Sequence, residues 1–131
     1  MDRLLSTRSY EWVDQEAFAR LSGDFNPLHM DRAAGRREFF GAVVVHGVHG
    51  LLRALDAWCV EHRGALSLTR LRASFPDPIH LDRPVQTWLT EQHEGCVRLR
   101  AESAGRTTLQ LELAWQASHA PCAAPPLAPP A

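Results

Sequence analysis

The sequence predicts an α+β fold, a single domain in which one long central helix is wrapped by an antiparallel sheet of about five strands. The first observation is a helical pattern from Gly47 to His62, with apolar residues at spacings of three and four. The second is a change to a period of two from Leu66 onward, which is typical of half-buried strands. One amphipathic helix and several such strands share a core most simply if the sheet packs around the helix.

The N-terminal part is expected to contain one strand, one short helix and a long loop. Alternation over residues 7–13 predicts the strand, and Asp14 is expected to cap a helix over residues 15–21. Residues 23–41 are rich in Gly, Asn, Pro and charged side chains, which predicts a loop with one helical turn beginning after Asp31. Binding and catalytic residues are often found on loops of this kind.

The chain after the long helix is expected to form an antiparallel meander, because apolar and polar residues alternate in several segments. Gly64 is expected to end the helix before the first of them. The turns are marked by Pro76-Asp77-Pro78, by Glu94-Gly95 and by Ala104-Gly105, and the last two are short enough for hairpins. The predicted strands cover residues 66–75, 85–91, 97–102 and 109–115.

Composition and charge favour one globular domain and argue against several classes of partner. The 131 residues are 45% hydrophobic and 22% charged, which is enough to bury a core. A formal net charge of -1 gives no general attraction to nucleic acid or to an anionic membrane. Three cysteines without CxxC spacing, and no apolar stretch of the roughly 20 residues that cross a bilayer, predict a reduced, cytoplasmic protein without a targeting segment. Residues 120–131 are rich in Pro and Ala and are expected to be a disordered tail after a domain of residues 1–119.

An acid and an imidazole lie close together in the predicted loop, in the run Ser22-Gly23-Asp24-Phe25-Asn26-Pro27-Leu28-His29. Hydration of an α,β-unsaturated thioester needs a base that takes a proton from water, an acid that protonates the α-carbon, and donors that hold the charge on the thioester oxygen. Asp24 and His29 are candidates for the first two roles, because Asn26 and Pro27 favour a turn that brings both side chains to one water molecule.

The start of the long helix is the candidate for the third role. The backbone N–H groups of Gly47 and Val48 have no partner inside the helix and lie at the positive end of its dipole. Glycine at this position would let a substrate carbonyl approach the backbone closely.

Structural interpretations of the same residues stay open at this point. Asp24 and Asn26 on their own would more often form an Asx-turn, and His46 is favoured as a histidine that hydrogen-bonds the loop entering the helix. His46 and His49 have a spacing at which they could bind a metal together with His29. No further ligand at a diagnostic spacing supports such a site, and the prediction is that no metal is bound.

At these residues the sequence resembles the MaoC-like, (R)-specific enoyl-CoA hydratase family of hot-dog-fold proteins. The family's hallmark reads Ser/Thr-Gly-Asp-x-Asn-Pro-x-His-x-Asp, followed by Phe-Gly-x-x-Ile/Val-Val-His-Gly at the start of the central helix. It maps onto residues 21–31 and 40–47 of this chain, and a weaker similarity at Phe75, Pro78 and Ile79 extends the resemblance over residues 9–117.

The resemblance implies a homodimer with acyl tunnels at or near the interface, and a reversible syn hydration of trans-2-enoyl to (R)-3-hydroxyacyl thioesters. Asp24 and His29 would be the catalytic pair, the backbone N–H of Gly47 the oxyanion donor, and Asn26 a residue that orders the catalytic loop. Coenzyme A or an acyl carrier protein would hold the acyl group, and neither a metal nor a redox cofactor is implied. The expected substrate-binding group is Gly47, Val48, Asn26 and His49.

The sequence departs from the family pattern in ways that bear on the site. Arg32 and Val43 replace the usual prolines, and His49 stands where an apolar residue is usual, so that it could narrow the tunnel or contact the thioester. Two alternatives to a hydratase stay open. One is a hot-dog thioesterase, in which a carboxylate such as Asp24 activates water against the carbonyl carbon. The other is a non-catalytic subunit that binds acyl thioesters.

Overall fold

The computed structural model of the protein describes residues 2–37, 42–62 and 66–117. Three expectations therefore fall outside the described residues: Gly64 as the end of the helix, Phe40-Gly41 in the second motif, and the tail of residues 120–131. The described elements are β1 (Arg3–Arg8), α1 (Trp12–Ser22), α2 (Pro27–Met30), α3 (Arg32–Arg37), α4 (Gly47–Glu61), β2 (Leu66–Ser74), β3 (Val85–His93), β4 (Cys96–Ser103) and β5 (Arg106–Ala117).

The strands form one antiparallel sheet in the order β1-β3-β4-β5-β2. Tight turns join β3 to β4 and β4 to β5, with positive φ angles at Gly95 (78°), Ala104 (52°) and Gly105 (75°). At Ala104-Gly105 both turn residues have positive φ, and such a turn matches the right-handed twist of the strands that it connects, whereas at Glu94-Gly95 only the glycine has positive φ. The predicted α+β fold and both predicted hairpins are confirmed. The meander is confirmed for β3, β4 and β5, but β2, predicted as its first strand, pairs with β5 at one edge instead of with β3, and β1 pairs with β3 at the other edge.

Helix α4 lies against the inner face of this sheet. It begins at Gly47 as predicted, and its buried residues His49, Gly50, Ala54 and Trp58 follow the spacing of one helical face. A Cβ atom added to Gly50 would lie 2.8 Å from Cδ1 of Ile79, so the glycine permits close packing of α4 against the Ile79 side chain. The sheet side of the core is formed by buried apolar residues of β3, β4 and β5: Val85, Leu89, Val97, Leu99, Ala101, Leu109, Leu111 and Leu113.

The first strand lies earlier in the chain than the sequence predicted. β1 covers Arg3–Arg8 rather than residues 7–13, and α1 already begins at Trp12. The alternation that suggested a strand comes from a core aromatic residue just before the helix, followed by the first helical residues. Asp14 does not precede the helix but lies in its first turn. From there its Oδ2 accepts a hydrogen bond from the backbone N–H of Glu11 at 2.8 Å. The helix itself was predicted correctly, but its start and its cap were wrong.

The predicted loop over residues 23–41 contains two short helices. Helix α2 is capped by Asn26, whose Oδ1 accepts from the N–H of Leu28 at 3.0 Å, and Pro27 occupies its first position. Helix α3 follows Asp31 as predicted, and Oδ1 of Asp31 accepts from two N–H groups of that helix at 2.9 and 3.2 Å. Helix α2 was not predicted, because four residues are too few to show a periodic pattern.

Two remaining expectations concern the membrane and the thiols. None of the helices in the described ranges is long and apolar enough to cross a lipid bilayer. Cys59 is exposed, Cys96 is half-buried, and both are free thiols as expected. Cys122 lies outside the described residues.

Candidate active site

Asp24 and His29 face each other across the loop between α1 and α2. Oδ2 of Asp24 lies 3.9 Å from Nε2 of His29, and the side chain of Asp24 is 49% exposed against 14% for His29. This distance is too long for a direct hydrogen bond. A polar gap of this width is one that a water molecule can bridge. The structure thus brings together the two residues that the sequence proposed as an acid-base pair.

The hydrogen bond on the far side of the His29 ring selects its tautomer. Nδ1 of His29 lies 2.6 Å from the backbone carbonyl oxygen of Val44. A carbonyl oxygen only accepts hydrogen bonds, so Nδ1 must carry the hydrogen. In the neutral ring the lone pair is therefore on Nε2, the atom that faces Asp24. Nε2 of the neutral ring can therefore accept a proton on the side that faces Asp24.

The Asx-turn and the acid-base pair use different oxygens of the same carboxylate. Oδ1 of Asp24 accepts from the N–H of Asn26 at 3.1 Å, which is the contact of an Asx-turn. Oδ2 is left to face His29. The N–H of His29 in turn donates to the carbonyl of Asn26 at 2.8 Å. The Asx-turn is therefore observed, it leaves Oδ2 outside the turn, and it sets the separation of the carboxylate from the imidazole.

His46 holds the same loop from the side of helix α4. Its side chain is 2% exposed, and its Nε2 donates to the backbone carbonyl of Asp24 at 2.9 Å. Its ring also stacks on the ring of His29, with centroids 4.2 Å apart and planes at 25°. The loop-binding role that the sequence favoured for His46 is observed, and the ring also supports the imidazole of the candidate pair.

One group among the described residues could hold a metal ion, and it differs from the trio considered from the sequence. Ligand atoms of Asp24, His29 and His46 all lie within 4.8 Å of one another. His49 is not part of this group. Nε2 of His46 already donates to the loop carbonyl, so an ion bound through that atom would break the hydrogen bond that holds Asp24 in place.

Gln15 is a residue of the site that the sequence analysis missed. It is fully buried in α1, and its Nε2 donates to the carbonyl oxygens of His29 at 2.9 Å and Val44 at 2.8 Å. It therefore ties α1 to both segments that carry the candidate site. The sequence did contain a signal, since Gln15 lies one helical turn before the buried Phe18 and Ala19. A polar residue on the buried face of a helix needs hydrogen-bond partners.

A small pocket opens beside the pair, next to the start of α4. Its volume is about 210 Å³, and its wall includes His29, Gly47, Phe75 and Ile79. A Cβ atom added to Gly47 would lie 3.3 Å from the Phe75 ring, so glycine lets this ring pack against the start of the helix. Among the residues predicted to bind substrate, Gly47 lines the pocket. Asn26 caps α2 instead, and the side chain of Val48 is exposed.

His49 lies in the core rather than in this pocket. Its ring stacks on Phe18 with centroids 4.5 Å apart, contacts the edge of Tyr10, and accepts from Nε of Arg53 at 3.3 Å. Burial, followed by the nearby charge of Arg53, lowers the pKa of His49 to about 4. The expectation that His49 contacts the thioester is therefore not supported by its position, because the aromatic neighbours hold the ring on the side of α1.

Replacing Gln15 by leucine should destabilise the protein by about 1–3 kcal/mol. The substitution keeps a similar volume but removes the side-chain donor of the His29 carbonyl and leaves the Val44 carbonyl with Nδ1 of His29 alone. Urea unfolding of Gln15→Leu measures the loss, with Gln92→Leu at an exposed position of β3 as the matched control. A free energy of unfolding equal to that of the control would contradict the tethering role of Gln15.

The depressed pKa of His49 should make the fold less stable in mild acid. The unfolded chain binds a proton at this histidine below a pH of about 6.5, whereas the folded chain does so only near its pKa of about 4. Between these values the unfolded state holds more protons. The free energy of unfolding therefore decreases as the pH is lowered from 7 to 4, by about 2–3 kcal/mol. Urea unfolding from pH 7 to pH 4 should show a shallower decline for His49→Gln than for the wild type, and equal declines would contradict the role of this histidine.

Comparisons with solved structures agree with this architecture. The R-hydratase PhaJ1 from Pseudomonas aeruginosa superposes with a TM-score of 0.72 at 23% identity, covering 89% of this chain and 79% of that one. The (R)-hydratase of A. caviae involved in PHA biosynthesis gives 0.69 at 23% identity, over 90% and 95% of the two chains. The ChsH1-ChsH2 complex from Mycobacterium tuberculosis gives 0.74 at 9% identity, over 90% and 94%. At these identities the similarity shows a common fold.

The family assignment rests on the sequence itself. No curated protein matches the chain significantly. Residues 6–114 match the family model described as a MaoC like domain, which spans both the Asp24/His29 loop and the start of α4. The protein therefore belongs to the MaoC-like dehydratase family of hot-dog-fold proteins.

Proposed function

We propose that the protein is a hydratase/dehydratase that interconverts trans-2-enoyl and (R)-3-hydroxyacyl thioesters, with Asp24 and His29 as its acid-base pair. The observation that carries the proposal is the 3.9 Å gap between Oδ2 of Asp24 and Nε2 of His29, where the histidine presents its lone pair. A water molecule in this gap would have an acceptor for each of its hydrogens. Membership of the family and the fold shared with two R-hydratases support the same reaction.

In the hydration direction the water supplies both groups that are added. Nε2 of His29 takes one proton while Oδ2 of Asp24 accepts a hydrogen bond from the other hydrogen. The water oxygen forms the new bond to C3, and the π electrons of the alkene move towards the thioester carbonyl. The proton held by the pair is then delivered to C2 from the same face. The atoms and electrons balance without an oxidant or a reductant, so the reaction requires no redox cofactor.

The developing negative charge on the thioester oxygen needs donors that are already in place. Gly47 lies at the first position of α4 and lines the pocket that also includes His29. Its N–H belongs to the first helical turn, where no intrahelical acceptor exists, and it lies at the positive end of the helix dipole. A preorganised donor of this kind typically contributes 10²–10³ in rate. Gly47 is therefore the proposed oxyanion donor, as the family resemblance implied.

The substrate is proposed to be an acyl thioester of coenzyme A or of an acyl carrier protein. The pocket beside His29 is lined mostly by apolar residues of the segments just before α4 and just after β2, including Val45, Phe75 and Ile79, together with Asp77. Such a wall suits an acyl chain rather than a charged group. Its volume of about 210 Å³ would hold a short chain, and a longer one would extend beyond these walls.

Replacing either member of the pair should reduce hydration by about 10²–10⁴-fold. Asp24→Asn keeps an oxygen for the Asx-turn but loses the carboxylate, and His29→Ala removes the lone pair that faces the water. The loss of the enoyl-thioester absorbance of crotonyl-CoA and octenoyl-CoA measures the rate, with a thiol reagent run in parallel. Asp31→Asn is a matched control, because this aspartate lies between α2 and α3 and caps α3.

The outcomes separate the proposal from its alternatives. Loss of the double bond without release of thiol, abolished in both variants and retained in Asp31→Asn, supports the hydratase. Release of free thiol would instead indicate a thioesterase. Binding of acyl-CoA without any turnover by the wild type would indicate a subunit that only binds acyl thioesters.

The protein is also proposed to form a homodimer through the edge strand β2. This strand pairs only with β5 among the described residues, and most of its length is exposed. Leu71 is 43% exposed although its cross-strand neighbour Leu113, on the same face of the sheet, is fully buried. Apolar side chains on the inner face of an unpaired edge favour cover by a second chain.

Light scattering should give twice the monomer mass of 14.6 kDa. Leu71→Lys should shift the equilibrium towards monomer, because it would bury a charge in the interface. Val60→Lys, at a 75% exposed position of α4, is the control that should remain dimeric. A monomeric wild type at micromolar concentration would contradict this assembly.

A further inference from the structure

Thr108 breaks the alternation of β5 at the edge of the candidate site. In a regular strand successive side chains point to opposite faces of the sheet. Thr108 and Leu109 are consecutive residues, yet both are only 1% exposed. Something other than the hydrophobic pattern must therefore turn the Thr108 side chain inward.

The cause is a β-bulge between β4 and β5. Ala101 pairs with Leu109, but the next residue of β4, Glu102, pairs with Thr107, so Thr108 is the extra residue without a partner on β4. An extra residue of this kind bends the strand and re-aims its side chain, and such bulges are found disproportionately next to active sites. The bulge therefore allows Thr108 and Leu109, although consecutive, both to be buried.

The hydroxyl that the bulge buries has no hydrogen-bond partner among the described residues. Oγ1 of Thr108 is inaccessible to solvent, and no described donor or acceptor is within reach. Thr108 belongs to the wall of the same pocket as His29 and Gly47. Buried polar groups without a partner destabilise a fold, whereas valine would fill the same volume without that cost. The hydroxyl is therefore unexplained by the folding of the free protein.

We propose that the hydroxyl of Thr108 donates a hydrogen bond to the carbonyl oxygen of the bound acyl thioester. This inference rests on the proposed function and adds a second donor to the N–H of Gly47. The hydroxyl and methyl groups of threonine are similar in size, so rotation about χ1 brings the hydroxyl to the ligand without repacking the strand.

The thioester carbonyl oxygen is a better acceptor for the Thr108 hydroxyl than the oxygen at C3, because Asp24 and the pocket lie on different sides of His29. The water that becomes the C3 hydroxyl lies on the Asp24 side, and Asp24 is not part of the pocket wall. Gly47 and Thr108 share the pocket side, where the carbonyl is expected. A carbonyl oxygen has two lone pairs and can accept from both donors.

The test measures binding without turnover. Titration calorimetry with butyryl-CoA, (R)-3-hydroxybutyryl-CoA and free coenzyme A is carried out on the wild type and on Thr108→Val, Thr108→Ser and Thr107→Val. Thr108→Val should weaken both acyl thioesters about tenfold, the effect expected for losing one hydrogen bond to a buried group. It should leave free coenzyme A unaffected, because this ligand has no acyl carbonyl. The melting temperature of Thr108→Val without ligand should be higher than that of the wild type, because valine removes the buried hydroxyl that has no partner.

The matched variants complete the design. Thr108→Ser keeps the hydroxyl and should retain affinity, and Thr107→Val makes the same change at the neighbouring residue and should bind like the wild type. Equal affinities for Thr108→Val and the wild type would overturn the inference, because the hydroxyl would then serve packing alone. Weaker binding of the hydroxyacyl ligand alone would also overturn it, since it would place the contact at C3.

Failure of this inference is distinguishable from failure of the proposed function. Because butyryl-CoA is saturated, its dissociation constant tests the carbonyl contact whether or not the protein hydrates alkenes. A wild type that binds butyryl-CoA in a Thr108-dependent way but hydrates no enoyl thioester would contradict the reaction and support the contact. A wild type that hydrates enoyl thioesters with no role for Thr108 would contradict the contact alone. No binding of any acyl thioester would overturn both.

Discussion

The carbonyl oxygen of Val44 is the constraint on which the rest of the site depends. It accepts two hydrogen bonds at once, from Nδ1 of His29 at 2.6 Å and from Nε2 of Gln15 at 2.8 Å. One bond fixes the tautomer and orientation of the imidazole, and the other attaches helix α1. Val44 lies just before the helix that begins at Gly47, and its N–H donates to the carbonyl of Leu28 at 3.2 Å. Helices α1 and α2 are thus both hydrogen-bonded to Val44, just before the start of α4.

This convergence divides the site into a polar side and an apolar side. His29 stands between them, because its Nε2 faces the exposed carboxylate of Asp24 while the ring also lines the pocket. The first side is open to water at the half-exposed Asp24, whereas the second side is lined mostly by apolar residues. The proposed hydration would use this division, because it requires water at one carbon and a less polar environment for the charge that develops on the thioester oxygen.

Local sequence patterns were sufficient to predict the helix that carries the site, the two hairpins and the Asp24/His29 loop. Each of these depends on residues that are close in sequence, such as the Asx-turn of Asp24 with Asn26. The role of Gln15 depends on carbonyls 14 and 29 residues away, and nothing local distinguishes it from a surface glutamine except its place on a buried face. The bulge at Thr108 depends on the register of β4 against β5, which a period of two cannot reveal.

The shared carboxylate of Asp24 bears on how this loop can change during evolution. Oδ1 holds the turn through the N–H of Asn26, and asparagine would retain an oxygen for that purpose. An aspartate codon becomes an asparagine codon by a single base change. A gene copy with this change would encode a chain that keeps its loop and pocket and loses only the charged oxygen. For the proposed hydratase, a chain that only binds acyl thioesters is therefore one base change away, and such descendants would be recognised by an intact turn with an amide in place of the acid.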